Sequence, residues 1–303
     1  MHWKHYLYIS ILILIIILII IYIIGKNLKL DMLDLENAES FDNPLEIRKD
    51  MIDKLYAKIY NKVFDEPDVF KQESKEILKF MEKHEVEGGQ ILEVGTGTGK
   101  YFQNLSSSGV KVIGVDRSEA MLEIFALRNP LGKSILGDVK NEGLFKKQQF
   151  KMILCLKETL YHNKIIDWDT ILSNFFYWLK PDGYLVIHIF DREKLDACPR
   201  NMTFSRKDGE GRQHGITNFP NFTHDGWWEK RGQVICQYNE IIAMRDNKGT
   251  ITKKKHYKHN LVIPEKKKII EKIMSNYFKL VKIVKLDNFG LKDHDLYFFK
   301  KIK

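Results

Sequence analysis

The 303-residue chain is 44% hydrophobic and 12% aromatic, enough for one full α/β domain with additions and too apolar for a disordered chain. Its net charge of +9 sits mostly at one end, where residues 251–303 hold 15 Lys against 5 acids. That surplus reads as solvated surface before it reads as a face for lipid or nucleic acid. Cys155, Cys198 and Cys236 show neither C-x-x-C nor Cys/His ligand spacing, so no disulfide framework and no metal site is expected.

Tyr6 to Ile24 is a run of 19 residues broken only by Ser10. A helix of roughly 20 apolar residues spans a bilayer, whereas a signal-peptide core runs to about 7–15 with a small-residue cleavage site. Residues 6–24 are therefore expected to be a single-pass membrane anchor, within a segment 1–29. Lys4 on one side and Lys26 and Lys29 on the other leave the orientation rule near a tie. Leu30 to Pro44 reads as an acidic tether. From Leu45 a helix is expected, because Ile47, Met51, Leu55, Ile59 and Val63 recur at i+4 with Tyr56 and Tyr60 beside them. A second helix is expected over Ser74–His84.

Gln90 to Lys100 (QILEVGTGTGK) then combines a buried strand, a turn with Gly95, Gly97 and Gly99, and a helix start. Glycine lets a backbone bend sharply and approach a ligand, and the helix behind offers free N–H groups and a positive dipole end. A second apolar strand ends at Asp116, 21 positions after Gly95, where an acid can hold ribose hydroxyls on a doubly wound sheet. The competing role for Asp116, or for Ser118, is to cap the helix Glu119–Arg128. The dinucleotide fingerprint G-x-G-x-x-G needs a glycine where this chain has Lys100. Glu93, two residues before the first glycine, is placed to face an ammonium group.

Strands continue at Ser134–Leu136 and Phe150–Leu156, then a helix over Asp167–Leu179 stops at Lys180-Pro181-Asp182-Gly183, and a fifth strand runs Tyr184–Phe190. Alternation of this kind implies a parallel sheet with right-handed crossovers. Residues 191–262 depart from it, with strands expected at Ile216–Phe222, Gln233–Met244 and Thr250–Leu261 joined by short Gly/Asn linkers that suggest antiparallel hairpins. A last helix, Glu265–Ser275, and strands Phe278–Leu286 and Asp295–Lys300 would finish the fold.

The acid-x-G-x-G-x-G run of Glu93–Gly99, followed in order by Asp116, Gly137-Asp138, strand 150–156 and the turn 179–183, resembles the class I S-adenosylmethionine-dependent methyltransferases. The likeness covers Gly88 to Phe190 closely and Pro264 onward more loosely. It implies an α/β fold with a seven-stranded, mostly parallel Rossmann-like sheet, here with an inserted antiparallel β layer and a preceding transmembrane helix. The implied organisation is a tether with donor-covering helices over 30–87 and a methyltransferase domain over 88–303. For the cofactor S-adenosyl-L-methionine it implies that Glu93, Gly95, Thr96, Gly97 and Gly99 hold the methionine end and Asp116 the ribose. Asp138 and Val139 would meet the adenine, Leu156 and Lys157 would stand beside the methyl group, and Tyr60 would be a lid aromatic. Trp227, Trp228, His224 and Tyr238 become acceptor-side candidates, each also explicable as packing.

Methyl transfer from a sulfonium needs alignment above all, with a base only if the acceptor must lose a proton. Lys157, Glu158, Tyr161 and His162 are the places to look for one. The D/N/S-P-P-aromatic run of amine-directed DNA methyltransferases and the Pro-Cys nucleophile of cytosine enzymes are missing, so there is no specific nucleic-acid signature. A membrane-anchored methyltransferase with its catalytic domain in the cytosol, where the donor is made, is the leading expectation. An NAD-dependent oxidoreductase and a non-catalytic scaffold of the same fold are the alternatives, and the acceptor is unidentified.

Overall fold

The computed structural model describes Ile15 and residues 45–49, 52–64, 66–86, 88–195, 204–209, 212–287 and 294–302. Apart from Ile15, the expected anchor at 6–24, the tether and Cys198 lie outside the described residues. Among the described residues no helix is long and apolar enough to cross a membrane.

The chain begins with β1 (Leu45–Lys49), α1 (Lys54–Val63), α2 (Pro67–Lys83), β2 (Ile91–Val94), α3 (Lys100–Ser107), β3 (Val112–Asp116), α4 (Glu119–Arg128) and β4 (Lys133–Leu136). It continues through β5 (Phe150–Cys155), α5 (Trp168–Trp178) and β6 (Leu179–Phe190). Five antiparallel-region strands follow: β7 (Phe204–Lys207), β8 (Gln213–Asn218), β9 (Phe222–Arg231), β10 (Ile235–Arg245) and β11 (Ile251–Val262). It ends with α6 (Lys266–Met274), β12 (Phe278–Val284) and β13 (His294–Lys301).

The described strands form two sheets. The seven-stranded one has the order β12-β13-β6-β5-β2-β3-β4. Its pairings are parallel from β6 to β4, and β13 runs antiparallel between β6 and β12. The order reverses at β2, so a crevice opens above the carboxyl ends of β2 and β5. One face of this sheet buries Ile171, Leu172, Phe175 and Trp178 of α5 with Ile269 and Ile273 of α6. The other buries Ile77, Phe80 and Met81 of α2 with Tyr101, Phe102 and Leu105 of α3. The second sheet, order β1-β11-β10-β9-β8-β7, is the expected inserted layer, antiparallel except where β1 joins β11 in parallel.

Two expectations are corrected. Residues 45–49 are a strand and not the start of a helix, since their backbone pairs with Lys254–Lys258. Helix α1 starts at Asp53, whose carboxylate accepts from Tyr56 N at 2.8 Å and also from Lys255 Nζ and Tyr257 Oη. The strand expected over Ile216–Phe222 is two strands with a turn between them, where Phe219 N donates to Phe222 O. The Trp-bearing segment Phe222–Arg231, beyond the expected strand end at Phe222, is strand β9. Helix α1 packs Tyr56, Ala57, Ile59 and Val63 against Ile242 and Tyr257 of the second sheet and Met121 of α4. That places α1 across the crevice.

Candidate active site

The cleft holds about 1200 Å³ and is lined from both sheets and from α1. Its floor is the turn after β2. Gly95, Gly97 and Gly99 take φ of 65°, 53° and 80°, the left-handed region that costs an L-residue with a Cβ. At Gly95 a Cβ would also collide with Thr159, and at Gly99 with Phe125 and Asn129. Thr98 Oγ1 donates to Asn61 Oδ1 at 2.7 Å and Lys100 Nζ to Phe64 O at 3.3 Å, so α1 is latched to this turn.

Glu93 is 2% exposed and lines the cleft. Burial pushes its carboxyl up to about 8, although Thr96 Oγ1 donates to it at 2.8 Å and the Phe102 N–H also supports it. A buried carboxyl so placed needs a cation to become a carboxylate. At the end of β3, Asp116 accepts from Gly97 N and from Ser118 N, both at 2.8 Å. The cap of α4 is Ser118, whose side chain accepts from Met121 N, so Asp116 is not the cap. Its oxygens brace the glycine turn and keep lone pairs for a ligand's hydroxyls. Burial raises its pKa, and the Ser118 and Gly97 N–H groups oppose that. Gly137, Asp138 and Val139 line the next stretch of the cleft. Asp138 holds Lys140 N at 2.9 Å, and Val139 O accepts from Asn174. Leu156, Lys157, Glu158 and Thr159 line it beyond β5.

Of the proposed catalytic candidates, the structure places Lys157 and His162 at the cleft and keeps Tyr161 out of it. Tyr161 is fully buried, its hydroxyl donating to His188 O at 2.9 Å and accepting from Phe190 N at 3.2 Å. It ties the loop after β5 to β6. Burial lowers the His162 imidazole to about 3, with the charges of His259 and Arg117 adding to this, so His162 is neutral. Lys157 has φ of 50° and its Nζ lies 3.7 Å from Glu73 and 3.9 Å from Glu66. Tyr60 is half-buried on the cleft wall, where burial and the neighbouring Glu158, Glu240, Asp116 and Glu66 carboxylates hold its hydroxyl protonated.

The acceptor-side candidates divide by strand alternation. Trp228 and Tyr238 line the cleft. Trp227 points to the opposite face, its Nε1 donating to Glu229 and its ring stacked 4.5 Å from His214. His224 lies behind the wall, with Nε2 2.6 Å from Glu240.

Several residues not singled out from the sequence matter here. Phe64, Glu66 and His259 line the cleft, and Glu240 is fully buried behind it. On the other side Glu73, His188 and His294 bring three ligand-type atoms within 4.8 Å of one another. The Lys157 N–H donates to His188 Nδ1 at 2.7 Å, which leaves the proton on Nε2, aimed at Glu73 Oε1 3.5 Å away. A ring with Nε2 protonated cannot ligate a metal through that atom, so as it stands the set is a buried carboxylate facing two imidazoles.

The chain matches the methyltransferase domain family over residues 66–237. It is 26% identical over 119 residues to the dTDP-3-amino-3,6-dideoxy-alpha-D-glucopyranose N,N-dimethyltransferase of Streptomyces fradiae, covering 39% of this chain and 46% of that protein. To the phosphoethanolamine N-methyltransferase 1 of Triticum aestivum it is 29% identical over 138 residues, or 44% and 27% of the two chains. The matches thus span about half or less of those relatives' lengths. Among solved structures it is similar to a S-adenosylmethionine-dependent methyltransferase from Clostridium acetobutylicum ATCC 824, with a TM-score of 0.63, 17% identity and coverage of 82% and 98%. It is also similar to CalS10, an amino pentose methyltransferase from Micromonospora echinaspora with S-adenosylmethionine bound, with a TM-score of 0.62, 14% identity and coverage of 84% and 99%. At these identities the structural likeness concerns the fold.

Proposed function

The chain belongs to the methyltransferase domain family, S-adenosylmethionine is its methyl donor, and we propose that it methylates an amine nitrogen. The residues on the page fit the donor. Glu93 is a buried carboxyl whose charge awaits a cation, Asp116 has lone pairs for ribose hydroxyls, and the glycine turn turns backbone toward the cleft. In this reading Gly137, Asp138 and Val139 bound the adenine, Leu156 and Lys157 flank the transferred methyl, and Tyr60 covers the site. The donor supplies an activated methyl group, and the chain's part is alignment of a lone pair with it.

The observation that carries the amine reading is the aromatic and acidic lining of the cleft. The rings of Tyr60, Phe64, Trp228 and Tyr238 line the cleft together with the carboxylates of Glu66 and Glu158. Aromatic faces with nearby carboxylates recognise ammonium groups, and both curated relatives named above are N-methyltransferases. Calorimetry with S-adenosylhomocysteine, with NAD in parallel, tests the donor. Binding of the nucleoside product alone, weakened at least about 30-fold in Asp116→Ala, is expected. A preference for NAD would sink the reading. Methyl transfer to phosphoethanolamine, dTDP-linked amino sugars and their hydroxyl counterparts then tests the acceptor, and methylation confined to the hydroxyl compounds would refute the amine class.

Residues 6–24 are further proposed to anchor the enzyme in a membrane with the catalytic domain on the cytosolic side, on the strength of their uniform apolar run. The full chain is expected to stay with membranes in alkaline carbonate while a chain starting at Leu30 is released. Release of both would remove the anchor from the proposal.

A further inference from the structure

Behind the aromatic wall of the cleft lies a fully buried carboxylate with three polar neighbours. Glu240 accepts from Tyr56 Oη at 2.6 Å, and its other contacts are His224 Nε2 at 2.6 Å and His259 Nε2 at 2.8 Å. Burial pushes this carboxyl up, but the His224 hydrogen bond and the adjacent His259 ring prevail and hold it at about 2. It is therefore ionised at neutral pH. An ionised carboxylate can only accept, so both histidines present a protonated Nε2 to it. For His259 this fixes the tautomer: when the ring is neutral its lone pair is on Nδ1. Unlike Glu240 and His224, His259 lines the cleft itself. Tyr56 from α1, Tyr238 from β10 and His162 from the loop after β5 surround its ring at centroid distances of 5.3, 6.3 and 6.3 Å. Packing alone gives no reason to bury a carboxylate behind this one cleft-lining imidazole, since an uncompensated buried charge opposes folding.

We infer that His259, oriented by Glu240, is the group that takes the proton from the acceptor amine, an assignment that rests on the amine reading above. At neutral pH an alkylamine arrives as R–NH3+, which has no lone pair with which to attack. One N–H proton passes to His259 Nδ1, and the resulting imidazolium is held by Glu240. The freed nitrogen lone pair forms the N–C bond to the methyl carbon as the C–S bond breaks, its electron pair going to sulfur. The products are R–NH2–CH3+ and neutral S-adenosylhomocysteine, with the proton on His259 returned to water. Tyr56 and His224 act through Glu240, whose oxygens they contact, so they are positioning residues.

The test is nitrogen NMR of the full-length protein with isotope-labelled histidines, saturated with S-adenosylhomocysteine, with butylammonium chloride as the probe. The His259 resonance is assigned by its loss in His259→Asn. In the wild type it is expected as the Nε2–H tautomer, and its Nδ1 signal is expected to move with butylammonium. Tetramethylammonium chloride, which has no N–H to donate, is expected to leave Nδ1 unmoved. In Glu240→Gln the movement of Nδ1 with butylammonium should be lost. An Nδ1–H tautomer, equal responses to the two cations, or an undiminished butylammonium response in Glu240→Gln would each overturn the assignment. Should His259→Asn fail to fold, loss of the same resonance in His259→Gln supplies the assignment. Calorimetry of S-adenosylhomocysteine on the same sample separates this outcome from failure of the donor reading, because His259 does not lie on the glycine-turn side of the cleft.

Discussion

Glu93→Gln is expected to make the ligand-free protein more stable and the donor-binding protein nearly useless. The carboxyl is buried on β2 with its pKa raised from 4.5 to about 8, because burial penalises the charged form. Below about pH 4.5 Glu93 is neutral in both the folded and the unfolded chain and costs nothing. As pH rises toward 8 the unfolded chain ionises while the folded one keeps the proton, so stability is lost across that interval. Glutamine does not titrate, and its amide oxygen can accept from Thr96 and Phe102 as the carboxyl does. The stability difference in favour of Gln should therefore grow from near zero at pH 4.5 to on the order of 3 kcal/mol near pH 9, read from urea melts. Donor binding runs the other way, since an ammonium needs the carboxylate. S-adenosylhomocysteine is expected to bind about 10- to 100-fold more weakly to the variant. The wild type should release a proton on binding at pH 7, visible in buffers of different ionisation enthalpy. Proton release of equal size in both proteins would show that Glu93 is not the ammonium's partner.

The donor half of this site was legible because its chemistry is local. A strand, three glycines in left-handed backbone and a helix start occupy Ile91–Lys100, and Asp116 follows one crossover later, so spacing along the chain stands for spacing in space. The N-terminal reading went astray at Leu45 because an i+4 stripe continues through residues whose partner strand is some two hundred positions away in β11. The local stop was present in Asp53, a cap residue three before Tyr56, and it is this residue that α1 uses. Strand β9 went unread since Gly226 and the run Glu229-Lys230-Arg231 break its alternation. Gly226 is required there, because a Cβ would run into the Tyr238 ring and His224. Only once β9 is placed does it follow that Trp227 and Trp228 face opposite ways. The acceptor side depends on contacts such as Tyr56 with Glu240, 184 positions apart, and Glu73 with His294. Buried charge networks of that kind carry no periodic signature, since each member reads alone as an ordinary polar residue.

Glu73 supports the second large effect. It is fully buried on α2, with Oε1 3.5 Å from His188 and 3.6 Å from His294, and Oε2 3.7 Å from Lys157 and hydrogen-bonded to Tyr101 Oη. Burial pushes the carboxyl up, but the Lys157 charge and the His188 and His294 rings facing it outweigh this and hold it well below the usual range. The stability this lends is present above the ordinary carboxylate range and lost as pH falls through and below it. Glu73→Leu strips the compensating charge from Lys157, whose side chain is only 18% exposed, and leaves the His188 N–H facing hydrocarbon. Breaking a buried pair from one side typically costs about 3–5 kcal/mol, enough to take much of the margin of an ordinary domain. Pairing it with Lys157→Met removes the orphaned ammonium, and the double variant should recover about half the loss. Because Lys157 also lines the cleft next to Leu156, the single variant should weaken S-adenosylhomocysteine binding, and the double variant should not restore it. Additive losses in urea melts of the two single and the double variants would mean that Glu73 and Lys157 do not act as a pair. Coupling above about 1 kcal/mol would identify the floor of α2 as what holds the methyl end of the cleft in place.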